Sequence, residues 1–304
     1  MKKTIVIVPG DPGGIGGEIT LKAVSALRKS GFLNDIKIFF DQATLNRLKF
    51  GFPDLNTDTF TCISIEPTEQ SYGETSLYAI RKAVDFCLED SANRVMVTGP
   101  INKFNIKSCI GKPLGHTEIL SEYTQIEKLE TVFCLENIKV FFLSRHLSLV
   151  NAIKYITFDT VFEKILSMNK YMQSLGYKQP KLAVAGLNPH AGDSGMFGDE
   201  ESAIILPAIL KSRESGLNVE GPIGADSVFH QGVEGRFDAI LSLYHDQGHI
   251  ALKTRDFYGT VTMTLGMPFL RCSVDHGTAE DIAWQGKANP KSMLEAIKLA
   301  VSFS

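Results

Sequence analysis

Short apolar runs alternate with amphipathic stretches along this chain of 304 residues, and the alternation limits the folds that it can adopt. Thr4 to Val8 and Arg94 to Val97 are largely apolar, as buried strands are, whereas Ile19 to Lys29 and Ser76 to Leu88 have apolar residues at helical spacing. Strands that alternate with helices are typical of a mostly parallel sheet. The sequence therefore predicts an α/β fold. The same pattern predicts a strand at Ile36 to Phe40 and helices at Ile204 to Leu210 and Lys291 to Val301.

The chain is long for one hydrophobic core, because cores stop growing at about 250–300 residues. Two α/β domains are the expected organisation. No linker, internal repeat or low-complexity tract marks a boundary, as expected if the chain passes between the domains more than once. We predict a discontinuous first domain formed by residues 1–115 and 270–304, and a second domain formed by residues 116–269.

Composition and charge exclude several classes of protein. The formal net charge is −3 and the sequence has no block of Lys and Arg, so a nucleic-acid partner is not expected. No run approaches the roughly 20 apolar residues of a membrane helix. The apolar stretch after Met1 stops at Pro9-Gly10, too early for a signal peptide. The five cysteines are dispersed without a CxxC motif, which is typical of reduced thiols. We therefore expect a cytoplasmic protein with no membrane partner.

Three of the seven histidines share one setting, because each follows an apolar, strand-like run. They are His146, His190 and His245. In open α/β sheets, ligands bind at the carboxyl ends of the strands. Three imidazoles at such an edge can hold one divalent cation and leave coordination positions open for substrate oxygens. The sequence therefore predicts a metal site formed by these three residues.

The surroundings of the three histidines support the same interpretation. A lone histidine is more often structural than a ligand, but the repetition of one setting favours the metal site. Asp193, Asp246 and Asp275 lie nearby in sequence and can orient imidazole rings or accept protons. His230 and His249 lack the setting, and we expect them to be peripheral.

Two further segments have both a structural and a functional interpretation. Gly10 to Glu18 follows a strand and opens a helix, where a phosphate-binding loop can lie, but its glycines match no standard fingerprint. A tight turn that requires glycine is an equally good explanation. His116 and Thr117 combine a titratable ring with a hydroxyl group, and they can bind a ligand or form a helix start at the surface.

The stretch from Asp275 to Pro290 is the most specific segment of the chain. It combines small residues, a histidine and acids in a loop before a helix. Small residues allow the backbone to approach a flat ligand, and an acid can accept hydrogen bonds from both hydroxyls of a ribose. The same residues are also compatible with an ordinary loop.

Taken together, these segments resemble the 4-hydroxythreonine-4-phosphate dehydrogenase (PdxA) family. His276 to Ala283 with Ala288 to Pro290 also resembles the adenosine-binding loop of the related isocitrate and isopropylmalate dehydrogenases. The matching segments run in order along nearly the whole chain: Gly10 to Glu18, Gly99 to Lys103, Gly115 to Glu118, Leu187 to Asp193, Gly221-Pro222 with Ala225-Asp226, Tyr244 to Gly248 and Ser273 to Ala279.

The resemblance implies two α/β domains with a cleft between them, as in the isocitrate and isopropylmalate dehydrogenases. It implies a homodimer whose interface lies on the second domain and whose active site is completed by the partner subunit. The implied ligands of a divalent ion (zinc, magnesium, cobalt or manganese) are His146, His190 and His245. The residues implied to contact substrate are His116, Thr117, Lys253, Thr262 and Arg271. The residues implied to bind NAD or NADP are His276, Gly277, Thr278, Asp281 and Asn289.

The implied reaction is oxidation of 4-phosphohydroxy-L-threonine by NAD or NADP, followed by decarboxylation to 3-amino-2-oxopropyl phosphate in pyridoxal 5′-phosphate (vitamin B6) biosynthesis. Asp246 or Lys253 is the candidate proton acceptor. An acid at Asp281 favours NAD, because it would repel the phosphate of NADP.

The chain departs from the family pattern at Thr262, where the family has an asparagine that contacts substrate. Gly13 and Gly17 also replace an alanine and a proline of the first loop. Related enzymes act on phosphothreonate, phosphoerythronate or aromatic dihydrodiols, so the residues are also compatible with a dehydrogenase of a related phosphorylated hydroxy acid. A metal-dependent hydrolase or lyase without nicotinamide, and a binding protein without catalytic activity, are two further functions that the same side chains could serve.

Overall fold

The computed structural model describes residues 3–55, 60–65 and 71–303, so Met1 and Lys2 at the start of the chain lie outside the described residues. Helices and strands follow each other throughout, which confirms the predicted α/β fold class. The strands are β1 (Thr4–Val8), β2 (Ile36–Asp41), β3 (Thr61–Ile65), β4 (Arg94–Thr98), β5 (Glu130–Leu135), β6 (Ile138–Phe142), β7 (Leu182–Ala185), β8 (Val219–Ile223), β9 (Ala239–Ser242), β10 (Val261–Leu265) and β11 (Arg271–Val274).

The helices are α1 (Gly16–Lys29), α2 (Gln42–Gly51), α3 (Tyr72–Glu89), α4 (Lys103–Ile110), α5 (His116–Thr124), α6 (Leu149–Tyr155), α7 (Phe158–Ser174), α8 (Leu206–Glu214), α9 (Ala225–Val233), α10 (His245–Arg255) and α11 (Lys291–Ser302). The sequence pattern predicts four of them: α1, α3, α8 and α11. The helix predicted at Ile204 to Leu210 begins as a π turn, Glu201–Ile205, which continues into α8.

The chain divides into two compact units. The first unit consists of Met1–Thr131 and Val261–Ser304, and the second of Val132–Thr260. The sequence pattern predicts domain boundaries at 115/116 and 269/270 instead. The difference arises because α5 packs against α3, and because β10 and β11 form an antiparallel pair. Both α5 and β10 therefore lie in the first unit.

In the first unit the strand order is β3-β2-β1-β4-β11-β10. All neighbouring strands of this unit are parallel except β10 and β11. The strands β1 and β4 are central and almost fully buried. Their side chains pack against α3, which begins at a capping box formed by Ser71 and Glu74. A capping box satisfies two backbone N–H groups at a helix start, so the sequence defines this boundary locally.

In the second unit the strand order is β5-β6-β9-β7-β8. The strands β6, β9, β7 and β8 are mutually parallel, and β5 pairs antiparallel with β6. The core includes Phe142, Ile240 and Val228, from β6, β9 and α9. Each large apolar side chain buried in this way contributes about 1.5–3 kcal/mol to folding.

Two more general features concern the described part of the chain. None of its helices is both long enough and apolar enough to cross a membrane. The five cysteines, all within the described residues, form no disulfide bond with one another.

The turn between β1 and α1 depends on close backbone packing. A Cβ atom at Gly16 would lie 1.9 Å from the carbonyl oxygen of Pro9, and a Cβ atom at Gly99 would lie 2.0 Å from the same oxygen. Real side chains do not come this close to a backbone atom. Glycine is therefore required at both positions for β1 and β4 to end side by side.

We expect Gly16→Ala to lower the free energy of unfolding by at least about 2 kcal/mol, because Pro9 cannot move without distorting β1. Gly51→Ala is the control, since a Cβ atom at the end of α2 meets no atom within 4 Å. The control is expected to change the free energy by less than about 1 kcal/mol, in the stabilising direction. Denaturant unfolding measures both values, and equal losses would contradict the packing argument.

Candidate active site

The three histidines predicted as metal ligands follow strands that are neighbours in the second unit. His146 follows β6, His245 follows β9 and His190 follows β7, and these strands are parallel in the order β6-β9-β7. Parallel strands end at the same edge of a sheet, where α/β proteins bind ligands. The setting recognised in the sequence is therefore a common edge in the structure.

The rings of His146 and His245 are neighbours at this edge of the sheet. Their ring centres are 6.4 Å apart. Two imidazoles that bind one tetrahedral ion through bonds of about 2.1 Å have ring centres about 5.3 Å apart, and about 6.5 Å is the limit for two ligands on opposite sides of an ion. The Nδ1 atom of His245 lies 2.6 Å from the Oδ1 atom of Asp246, and a carboxylate in this position fixes the orientation of a ligand ring. Asp246 therefore orients a histidine, which is one of the two roles that the sequence predicts for it.

His190 is held in an unusual backbone turn and does not join the other two rings. Within the described residues, no group of three or more His, Cys, Asp or Glu side chains is arranged to hold a metal ion. The residues from His190 to Ser194 all have positive φ angles, a conformation that costs about 1–2 kcal/mol for each non-glycine residue. The structure thus brings two of the three predicted ligands, His146 and His245, near each other.

The buried carboxylate of Glu201 supports the turn at His190. Glu201 Oε1 accepts hydrogen bonds from the backbone N–H groups of Leu187 and Asn188, both at 2.7 Å. Its Oε2 accepts a third from the Asn188 amide at 2.9 Å. Glu201 opens the π turn that precedes α8, and such turns are frequent at functional sites.

His249 is not peripheral, contrary to the sequence prediction. Its ring stacks on that of His245 with 3.9 Å between the ring centres, and on Phe142 at 4.8 Å. Burial lowers the pKa of His249 to about 4, with a smaller contribution from His245. The spacing from His245 to His249 places both on one face of α10, and this helical spacing is the signal available in the sequence.

Lys253 lies on the same helix as His245 and Asp246, two turns further along. Its ammonium nitrogen is 4.9 Å from the ring centre of Phe257. The second unit thus holds the predicted metal ligands together with both candidate proton acceptors.

The other predicted substrate-contacting residues lie in the first unit, where Arg271 is buried without a counter-ion. Arg271 on β11 is 3% exposed. Its guanidinium donates hydrogen bonds to the hydroxyl oxygens of Thr98 and Thr264, and no described acidic side chain forms an ion pair with it. Burial lowers its pKa to about 10, so it remains charged at neutral pH. A buried charge is costly unless it is paired, and this arrangement favours an anionic ligand.

His116 lies near Arg271 and begins α5. Its Nε2 atom is buried and has no hydrogen-bond partner among the described residues. Burial first, and then the charge of Arg271, hold the pKa of His116 well below 6.5. The ring is therefore neutral at pH 7, and Nε2 can bond to a polar ligand. Thr117 follows at the next position of the helix.

Thr262, which replaces the family asparagine, is buried on β10 opposite Ser273. Its hydroxyl donates to the carbonyl oxygen of Ser273 at 3.4 Å. The hydroxyl thus has a backbone acceptor in the neighbouring strand, and an asparagine would present an amide group here instead.

The loop predicted to bind a dinucleotide packs against the glycine-rich turn. The N–H group of Ile15 donates to the carbonyl oxygen of Thr278 at 2.9 Å, and a Cβ atom at Gly14 would lie 2.8 Å from Thr278. Asp11 is buried and accepts from the Gly13 N–H group and from the Asn105 amide. The contacts of this turn are those of a tightly packed turn. They support the interpretation of Gly10 to Glu18 as a turn that requires glycine rather than as a phosphate-binding loop.

The other predicted dinucleotide ligands lie along the same loop. Asp281 and Gly277 are exposed, and His276 Nδ1 lies 2.9 Å from the carbonyl oxygen of Gly277. The side chain of Asn289 accepts a hydrogen bond from the N–H group of Lys291 at the start of α11. Ala279, Trp284 and Gly286 have positive φ angles, so the loop follows a defined path with several turns.

Comparisons with known proteins show the family of this chain. A sequence profile of the family described as "Pyridoxal phosphate biosynthetic protein PdxA" matches residues 18–300. This chain belongs to the PdxA family.

Individual relatives are similar to this chain over nearly their whole length. A protein of Clostridium botulinum (strain Langeland) named "Putative D-threonate 4-phosphate dehydrogenase" is 41% identical, over 99% of this chain and 97% of its own. A protein of the same name from Halalkalibacterium halodurans is 40% identical, over 100% and 98%. The crystal structure of a 4-hydroxythreonine-4-phosphate dehydrogenase from Klebsiella pneumoniae is 35% identical and covers 99% of each chain, with a TM-score of 0.86. These relatives assign the chain to the dehydrogenases.

We expect His116→Gln to make this PdxA family member less sensitive to acid. The native ring resists protonation, so below about pH 6.5 the unfolded chain binds a proton at His116 that the native protein does not bind. The stability that depends on the neutral ring is complete above this pH and is lost below it, by up to about 1.4 kcal/mol per pH unit.

Denaturant unfolding of both proteins at about pH 7.5 and about pH 5 measures this effect. The exposed His230 provides the control variant, His230→Gln. The assignment is contradicted if the wild type and His116→Gln lose the same stability between the two pH values.

Proposed function

We propose that this protein is a nicotinamide-dependent and metal-dependent dehydrogenase of a phosphorylated four-carbon hydroxy acid. The observation that carries the proposal is the buried guanidinium of Arg271, which has only hydroxyl partners among the described residues. Arginine binds phosphate and carboxylate groups through paired hydrogen bonds. The neutral His116 beside it adds a hydrogen-bonding group for an uncharged part of the same ligand.

Two substrates fit this proposal. D-Threonate 4-phosphate is the first candidate, because relatives that are 40–41% identical over nearly the whole chain have names that specify it. 4-Phosphohydroxy-L-threonine is the second, because it corresponds to the name of the Klebsiella enzyme, which is 35% identical. The two substrates differ only at C2, which carries a hydroxyl group in the first and an amino group in the second. A reaction of the second would serve pyridoxal phosphate biosynthesis, and the family description names that pathway.

The proposed chemistry is the same for both. Hydride leaves C3 for NAD or NADP while Asp246 or Lys253 accepts the hydroxyl proton. The resulting β-keto acid loses carbon dioxide. The product is dihydroxyacetone phosphate from the first substrate and 3-amino-2-oxopropyl phosphate from the second. Arg271 holds the phosphate or the carboxylate, and His116 and Thr117 orient the substrate.

We propose that His146, His190 and His245 hold a divalent ion in a homodimer to which both subunits contribute ligands. The support for this proposal is that the three histidines follow neighbouring parallel strands, with the rings of His146 and His245 6.4 Å apart, and the resemblance to a family with shared active sites. Held by these residues, such an ion would supply Lewis-acid chemistry that favours loss of the hydroxyl proton and of carbon dioxide. Zinc, magnesium, cobalt and manganese are the candidate metals.

A substrate panel tests the proposed reaction. Each of the two acids, and phosphoerythronate, is supplied with NAD and with NADP, and reduced nicotinamide is followed by absorbance. We expect turnover of at least one acid, and we expect Arg271→Met to raise the KM for that acid at least about 100-fold. Arg81→Met, which removes an exposed ion pair with Asp85, is the control. Product formation without reduced nicotinamide would instead identify a hydrolase or lyase.

Metal analysis of the purified protein tests the proposed ligands. We expect His190→Ala to lose most of the bound divalent metal and at least about 100-fold in turnover, because the site loses one of three imidazoles. The exposed His230 on α9 is the matched control, as His230→Ala. Full metal content and full activity in His190→Ala would rule out the ligand assignment.

A further inference from the structure

We propose that Glu18 and Lys22 form a clamp that holds the loop from Trp284 to Asn289 in the shape that binds a dinucleotide. The inference rests on the proposed dinucleotide site and concerns two residues of α1 that lie outside the predicted ligand set. They act as positioning residues, since their contacts are with the loop rather than with the reacting groups.

The clamp forms hydrogen bonds with the backbone N–H and C=O groups of two loop residues, Gly286 and Ala288. Glu18 Oε1 accepts from the N–H group of Ala288 at 2.9 Å, and Glu18 Oε2 accepts from that of Gly286 at 3.3 Å. Lys22 Nζ donates to the carbonyl oxygens of the same residues, at 2.8 Å for Gly286 and 3.0 Å for Ala288. The remaining N–H bond of the ammonium group is directed at Glu18 Oε1, at 2.7 Å. One charged pair therefore satisfies four backbone groups.

The burial of the clamp distinguishes it from a surface ion pair. The side chain of Glu18 is 1% exposed and that of Lys22 is 23% exposed. A buried carboxylate is tolerated only when hydrogen bonds replace its water. Among the described residues, Glu18 obtains its hydrogen bonds from Lys22 and the loop. The spacing of four residues places both side chains on one face of α1. The loop thus depends on the clamp for its anchorage to α1.

The proposed ligand groups lie on both sides of the clamped residues. Asp281 precedes them and Asn289 follows them. Between these, Trp284 has a φ angle of 66° and Gly286 one of 73°, and a left-handed conformation at a tryptophan persists only where the surroundings enforce it. Without the clamp, the loop would have to be ordered by the ligand itself, and that entropic cost reduces affinity. The expected effect is on dinucleotide affinity, with little effect on the acid substrate.

Trp284 provides a direct measurement of the loop. It is the only tryptophan of the chain, and the guanidinium of Arg47 lies 3.9 Å from the centre of its ring. Its fluorescence therefore reports dinucleotide binding at this loop without turnover, in the full-length protein.

The experiment titrates NAD and NADP into the protein and follows Trp284 fluorescence at a temperature where circular dichroism shows every variant folded. We expect Glu18→Gln to raise the Kd at least about 10-fold for the dinucleotide that the wild type binds more tightly. Lys22→Met is expected to act in the same direction by a smaller factor, and it carries the test if Glu18→Gln fails to fold. Lys22→Arg keeps the charge and the donors, and it should stay within about 3-fold of the wild type.

The exposed pair of Glu295 and Lys298 on α11 supplies the matched control, Glu295→Gln, which should leave the Kd unchanged. The KM for the phosphorylated acid, at saturating dinucleotide, should change less than about 2-fold in all variants. The clamp is overturned if the wild type binds dinucleotide and both Glu18→Gln and Lys22→Met bind it equally well. It is also overturned if Kd and the acid KM rise by the same factor, which is the result of a general structural role. A wild type that binds neither dinucleotide overturns the proposed dinucleotide site itself.

Discussion

Parallel pairing of strands is the constraint on which the arrangement of both units depends. In the second unit it brings the ends of β6, β9 and β7 to one edge, so that histidines far apart in the sequence follow neighbouring strands. In the first unit, β1, β4 and β11 are likewise parallel neighbours. The turn after β1 approaches the end of β4 so closely that only glycine fits at Gly16 and Gly99. Local steric requirements of this kind hold the sheet edges in place.

The candidate active site departs from the rules that stabilise the rest of the protein. Arg271 is a buried cation without a carboxylate partner among the described residues, and the Nε2 atom of His116 is buried without a hydrogen bond. Each of these features costs folding free energy. Natural proteins tolerate such costs mainly at functional sites, where a ligand supplies the missing partner. The contrast with Glu18, whose carboxylate is fully hydrogen-bonded, separates ligand-binding groups from those that hold the backbone.

Much of the fold could be predicted from local pattern. The bounds of β1 agree with the prediction, and those of α3 and α11 lie within a few residues of it. Apolar periodicity and helix caps act over a few residues and are visible in the sequence. The unit boundaries differ from the predicted ones because the pairing of β10 with β11 is a contact between segments that periodicity does not describe. The sequence pattern places His249 at the periphery because this residue follows no strand-like run. The structure stacks its ring on that of His245, and the four-residue helical spacing between the two is the signal that reveals this contact.

The sequence by itself determined the α/β class, the membership of the PdxA family and the identity of the side chains available for chemistry, because these depend on residue type and order. Only the tertiary structure decided which of these side chains are buried, neutral or paired. It showed that Arg271 lacks a counter-ion and that Glu18 binds the backbone of a loop more than 260 positions away. The physical reason is that burial and charge pairing depend on contacts between distant segments, which no local pattern records.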